Sequence, residues 1–459
     1  MSLAASTPAL PAAGSRNRET RVQSRDAVGQ RAQPEGQSTQ ARAASEREIS
    51  TFARNWPEFR SGIGVAAQSR VGYAVMNSPA ECVSVVAGQH RISRIEGALA
   101  GPTLVVVGGL HGNEPAGVAA GQAVAARIGE KAGRLRGDVV LLAGNTRALV
   151  ASRRYVDTDL NRHWTPKRLE VLESGTGGDE VSEDHDQREL HAEFEEAVRR
   201  ARGQMFVVDL HSTSGRGAPF VTLGDTLRNR AFAMAFPVTI ILGIEEQLDG
   251  TMLSALNEQG MVTLGFEAGQ HDDPASFSND VAAIWISLVT AGMLDAADVP
   301  DLEDHQRRLA IAGGGRRFVE VRHRHPVRPG DGFEMRPGYT NFQPVARGET
   351  LATDWRGPIR ATESGLMLMP LYQALGDDGF FLARVIRPFW LSVSRVLRRS
   401  GVPKLIHLLP GVRRQVDNPN VLFVNTRLAR FFPLQVFHLL GYRRMRWSDE
   451  WLAVTRRPE

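Results

Sequence analysis

The sequence holds a single cysteine, Cys82, among 459 residues. It can therefore form no intrachain disulfide and no metal centre built on several thiolates. Any metal has to be held by histidine and carboxylate. A lone cysteine also fits a reducing compartment, and a cytoplasmic location is the expectation. Long apolar runs are missing too. None reaches the ~18 residues that a membrane-spanning helix needs. The longest, Val281 to Leu294, carries Ser and Thr and reads as a buried helix. The beginning of the chain shows no apolar stretch of the secretory kind. Large apolar residues are scarce across residues 1–48, where Ala, Ser, Gln, Arg, Gly and Pro dominate. Such a segment cannot bury enough surface to offset its ordering entropy, so a disordered tail is expected there.

Taken whole, the chain has the composition of a soluble globular protein, 42% hydrophobic and 23% charged, with length for two or three domains. It is organised around Leu104-Val-Val-Val-Gly-Gly-Leu-His-Gly-Asn-Glu114. The apolar run Leu104–Val107 reads as a buried parallel strand, and two glycines then turn the chain. His111 and Glu114 follow, just ahead of a helix-forming run from Ala116 to Ile128. An imidazole and a carboxylate at a strand's C-terminal end stand where α/β sheets place their sites. Alone, the pair fits a surface histidine beside a helix-starting acid equally well.

Further strands are expected at Cys82–Ala87, Asp138–Ala143, Met205–Leu210, Phe220–Leu223, Val238–Leu242 and Met261–Gln270. Strand, helix, strand implies right-handed crossovers. Residues 145–162 form a loop crowded with Arg, Asp and Asn. Residues 165–183 read as a surface insertion, and 183–202 as a polar helix whose Leu190, Phe194 and Val198 face the core. His185 and His191 in that acidic stretch read as surface residues. Beyond about Val319 short strands and turns alternate, at Val319–His325, Gly338–Val345, Thr350–Thr353, Pro358–Ala361 and Gly365–Pro370. A metal pair at His323 and His325 lacks a third donor. The last segment, 384–459, holds fifteen Lys+Arg against four Asp+Glu, with aromatic residues interleaved. It reads as a basic subdomain packed on the body, or as a surface for an anionic membrane or nucleic acid.

His111, Glu114 and His211 make a two-histidine, one-carboxylate set with a fourth zinc position left for water. Glu267 lies among apolar residues beside glycines, where an unpaired charge is costly to bury, and it is the natural general base. An arginine of the 145–162 loop can offset an oxyanion. Asp209, two residues before His211, can orient that ring.

Gly109-Leu-His-Gly-Asn-Glu114, Arg154-Tyr-Val-Asp-Thr-Asp-Leu-Asn-Arg162, Asp209-Leu-His211 and Gly265-Phe-Glu-Ala-Gly269 resemble the succinylglutamate desuccinylase/aspartoacylase family of zinc carboxypeptidase-like hydrolases. Asn341-Phe-Gln-Pro-Val and Gly376-Asp-Asp-Gly-Phe-Phe381 resemble its β-rich C-terminal domain. The resemblance implies one zinc per chain on His111, Glu114 and His211. It implies Glu267 as catalytic acid/base, Arg154 polarising the scissile carbonyl, and Asn161 and Arg162 holding a substrate carboxylate. The implied substrate is a small N-acyl amino acid. An arginine that aspartoacylases carry ten residues before the catalytic glutamate is Asn257 here, with Glu245, Glu246 and Glu258 nearby. That speaks against N-acetylaspartate.

The expected architecture is α/β: a zinc carboxypeptidase-like mixed sheet flanked by helices over 49–312, a β-rich domain over 313–383 and a basic extension over 384–459. The expected function is a zinc-dependent amidohydrolase, and a homo-oligomer is left open. A zinc carboxypeptidase or peptidoglycan-peptide hydrolase is the alternative. A non-catalytic protein binding membranes or polyanions through its basic tail is the alternative of another class.

Overall fold

Four runs, Leu104–Val107, Val139–Leu142, Val207–Leu210 and Leu264–Phe266, are too apolar for either of their faces to meet water. In the computed structural model each lies inside a strand with helices packed on both sides. The structure describes residues 83–175, 181–415, 418, 420–425, 434–447 and 451–456, so the tail expected at 1–48 and Cys82 lie outside the described residues. The strands are β1 (Arg91–Glu96), β2 (Leu99–Gly108), β3 (Arg136–Ala143), β4 (Met205–Thr213), β5 (Phe220–Thr222), β6 (Thr239–Leu242), β7 (Val262–Gln270) and β8 (Phe318–Pro326), then β9 (Glu334–Met335), β10 (Pro344–Val345), β11 (Thr350–Asp354), β12 (Gly357–Arg360), β13 (Gly365–Leu368) and β14 (Asp378–Val385). The extension adds β15 (Val412–Arg414), β16 (Val421–Asn425), β17 (Tyr442–Trp447) and β18 (Trp451–Arg456).

An eleven-stranded mixed sheet runs β1-β3-β2-β4-β7-β5-β6-β8-β14-β13-β10. Its centre, β3-β2-β4-β7, is parallel, and β5 enters antiparallel to β7. Side chains alternate between faces as the pleat requires. Leu104, Val106, Val139, Leu141 and Val208 pack on one side with the helices Ala116–Gly129 and Pro274–Thr290. Val105, Val107, Val140, Leu142 and Val207 pack on the other with Ser182–Arg200 and Met252–Glu258. Each such side chain, fully buried, stabilises the fold by roughly 1.5–3 kcal/mol before entropy is set against it. Among the described residues no helix is long and apolar enough to cross a membrane.

The mixed sheet flanked by helices matches the expectation. The sheet continues unbroken past residue 312, because β8 pairs with β6 and then with β14. Several local readings need correction. Residues 83–90 form no strand; the edge strand is β1, whose RISRIE sequence mixes charge into its pairing face. Residues 166–174 of the expected insertion are a helix with Thr165 as N-cap and Pro166 at its start; 176–180 lie outside the described residues. Val198 is exposed, and Ala197 takes its place in the buried stripe with Leu190 and Phe194. Of Gly338–Val345, only Pro344–Val345 is strand. His325 stacks on Phe380 at 5.1 Å between ring centroids.

The extension folds into a four-stranded antiparallel sheet, β15-β16-β18-β17. Its core joins Val412, Leu422 and Val454 to Ile406, Phe437 and Tyr442.

Candidate active site

β2 ends at Gly108 against the helix Ala116–Gly129, so closely that a Cβ there would sit 2.4 Å from the Gly117 backbone. Gly109 then turns at φ +69°. A Cβ on Gly112 would lie 2.1 Å from Ala148, and its N–H donates to Arg154 O at 3.0 Å. The glycines thus press the His111 loop onto the neighbouring 145–162 loop. That is why the first and second motifs meet.

His111 and His211 each turn Nδ1 toward Glu114, at 2.9 Å from Oε1 and 3.0 Å from Oε2. One donor atom from each of the three lies within 4.8 Å of the others, so the group can hold a metal ion. All three are buried. The outer nitrogens also meet carboxylates. His211 Nε2 lies 2.8 Å from Asp209 Oδ2, and His111 Nε2 lies 3.3 Å from Asp159 Oδ1. Metal-binding histidines are typically oriented in this way. The donor set therefore fits zinc. Burial works to raise the Glu114 carboxyl, but the two imidazoles outweigh it and hold it well below the usual carboxylate range.

His211 and Glu267 lie inside β4 and β7, not on loops after them, and face each other in register. Glu267 is half-buried, and its enclosed Oε2 has no hydrogen-bond partner. Burial pushes its carboxyl up to about 8, with the charges of Glu114 and Asp209 adding to the effect against His211 and Arg154. Behind it, Asp280 on the helix Pro274–Thr290 is buried, with both oxygens unpaired, and burial raises it well above the carboxylate range.

Arg154 lies 3.5 Å from Glu114 Oε1 and 3.1 Å from Asp159 Oδ2. Asn161 accepts the Met252 N–H at 3.0 Å, and Arg162 pairs with Asp378 at 2.8 Å. All the residues expected from the four motifs therefore line one cavity of about 160 Å³. Met369, Leu371 and Gly376–Asp378 from the β-rich segment line it as well. Asn257 does not: it is buried and hydrogen-bonds to Arg228 and Asn229.

Sequence reasoning passed over four residues. Asp159 sits inside a quoted motif but its place between His111 and Arg154 was not foreseen. Glu183, read as part of a polar helix, is buried and accepts the N–H groups of Val156, Asp157 and Thr158, which fixes the arginine loop. His271 reaches the cavity between Ser212 and Gln373. Asp280 carries no motif.

Residues 100–290 match the model of the succinylglutamate desuccinylase/aspartoacylase catalytic domain. No curated protein matches the chain. Similar solved structures include a succinylglutamate desuccinylase/aspartoacylase from Rhodobacter sphaeroides, 21% identical over 64% of this chain and 88% of that one, with a TM-score of 0.49. The product-bound ectoine utilization protein EutE (DoeB) from Ruegeria pomeroyi is 23% identical over 64% and 87%, with a TM-score of 0.46. The succinylglutamate desuccinylase of Chromobacterium violaceum is 17% identical over 63% and 86%, with a TM-score of 0.43.

Proposed function

Because residues 100–290 belong to the succinylglutamate desuccinylase/aspartoacylase family, we propose that this protein is a zinc-dependent amidohydrolase that releases the acyl group from a small N-acyl amino acid or related amine. The observation that carries the reading is the convergence of His111, Glu114 and His211, each imidazole backed by its own carboxylate, beside the unpartnered Glu267. His111, Glu114 and His211 would hold the ion. When bound, zinc supplies a Lewis acid for the amide carbonyl and makes water more acidic.

The chain's own groups do the rest. Glu267 takes a proton from water as it adds to the carbonyl carbon, then delivers that proton to the departing nitrogen. Its high pKa in the bare site suits both halves of the task. A cation nearby moves it down toward neutrality. Arg154 offsets negative charge developing on the carbonyl oxygen. Asn161 and Arg162 hold a substrate carboxylate, which competes with Asp378 for the guanidinium. Asp209 fixes the ring orientation of His211.

The cavity's size supports a small substrate. A volume of about 160 Å³ resembles a dry core cavity that admits benzene, ~150 Å³. The β-rich segment lines one wall, whereas a peptidase acting on a long chain needs an open groove. The test uses a panel of N-acyl amino acids, with amine release as readout. Glu267→Gln is expected to keep its zinc, measured by metal analysis, and to lose turnover by roughly 10²–10⁴. Undiminished release by the variant would reject the assigned base.

A further inference from the structure

A second cavity, about 480 Å³, opens where the extension meets the body. Its walls are apolar: Leu242, Ile386, Trp390, Leu391, Val436 and Leu439. Its charged residues are mostly cations, namely Arg230, Arg384, Arg387 and Arg443, against the one acid Glu320. Two of these cations are engaged inside the protein, since Arg230 and Arg443 both pair with Asp225. Arg384 lies 3.5 Å from Glu320. Arg387 is exposed, and its guanidinium has no ion pair or hydrogen bond among the described residues. Trp390 is 48% exposed although it lines the cavity.

We propose that this junction is a second ligand site, taking an aliphatic monocarboxylate with its chain against Trp390 and Leu391 and its carboxylate on Arg387. Cavities of this size at junctions between substructures, apolar with a few placed charges, are where small molecules bind. A neutral apolar guest would take water from Arg387 and give nothing back. A polyanion would answer the arginines and leave the apolar walls wet. The chain's own residues 1–82 carry ten Lys+Arg against seven Asp+Glu, the wrong sign to satisfy Arg387. An amphiphile with one negative end meets both demands. The cavity also reaches Arg443, His438 and Glu320, the group that fastens the extension to β8 of the body (His438 Nδ1 to Glu320 Oε1, 2.8 Å). Its occupant would touch that fastening.

Calorimetric titration of the full chain with decanoate tests the proposal, with decanol and acetate as controls. It needs no catalytic activity, so it stands or falls apart from the deacylase reading. The expected result is saturable binding of one decanoate per chain below its aggregation concentration, with decanol about tenfold weaker and acetate silent. Arg387→Gln and Trp390→Ala, both at exposed positions, should each weaken decanoate about tenfold or more. Unchanged affinity in either variant would overturn the proposal. So would decanol binding as tightly as decanoate, or heat that appears only once decanoate aggregates.

Discussion

Glu267 is held where a carboxylate is costly, half-buried with its enclosed Oε2 unpaired and its carboxyl pushed up to about 8. Such a state persists when something else over-determines the site, and a metal beside it would supply the missing positive charge. Asp209 gives a separate test of that environment. It fixes which nitrogen of His211 faces Glu114, so Asp209→Asn should weaken zinc ~10–100-fold in a competition titration with a chromophoric chelator. Unaltered zinc affinity would remove Asp209 from the site's support. His111, Glu114, His211 and Glu267 were legible because each follows or ends an apolar run beside glycine. Asp280 was not, because nothing in a lone aspartate within an otherwise largely apolar helix says which strand end lies beside it.

The elements that position these groups were legible in proportion to their apolar content. β2, β3, β4 and β7 announce themselves by short apolar runs such as Leu104–Val107 and Val139–Leu142, and the buried helix Pro274–Thr290 by its run from Val281. β1 and the strands of the extension mix arginine into edge or two-sided surfaces, and their pairing depends on distant partners. The fastening of the extension shows the same limit. Arg398 is buried and bonds Asp225 Oδ2 at 2.7 Å, while Arg443 meets Asp225, Glu246 at 2.9 Å and Glu245 at 3.7 Å. Glu245 and the neighbouring Gly224 line the cavity that holds His111, Glu114 and His211. Removing one partner of a buried ionic group costs roughly 3–5 kcal/mol. Arg443→Met should lower the unfolding free energy obtained from denaturant titration by about that much, moving the midpoint down, with Arg443→Lys recovering part of it. An unshifted midpoint would show that the contact carries no stability.

At the scale of the molecule, the basic surplus of residues 384–459 is partly spent inward. Arg398, Arg443 and His438 neutralise Asp225, Glu246 and Glu320 on the body. This attachment is pH-dependent. Burial opposes ionisation of Glu246, but His438 and Arg443 prevail and bring it from 4.5 down to about 2. Its stabilisation is therefore present above pH 4.5 and fades as pH falls toward about 2. His438 moves the other way: burial and Arg443 lower it, Glu246 and Glu320 raise it further, and the net is above 6.5. Its contribution is full below pH 6.5 and fades as pH rises through the raised value. The Tm difference between wild type and Glu246→Gln should thus shrink as pH falls from 5 to 3. A constant difference would contradict the assignment.

The most direct measurement is zinc-edge anomalous diffraction from crystals of the zinc-loaded protein. The account predicts one peak per chain, about 2.0–2.2 Å from His111, Glu114 and His211. A peak at the other cluster able to hold a metal, His90, Asp186 and Glu189, with none between the two imidazoles of the cavity, would contradict it.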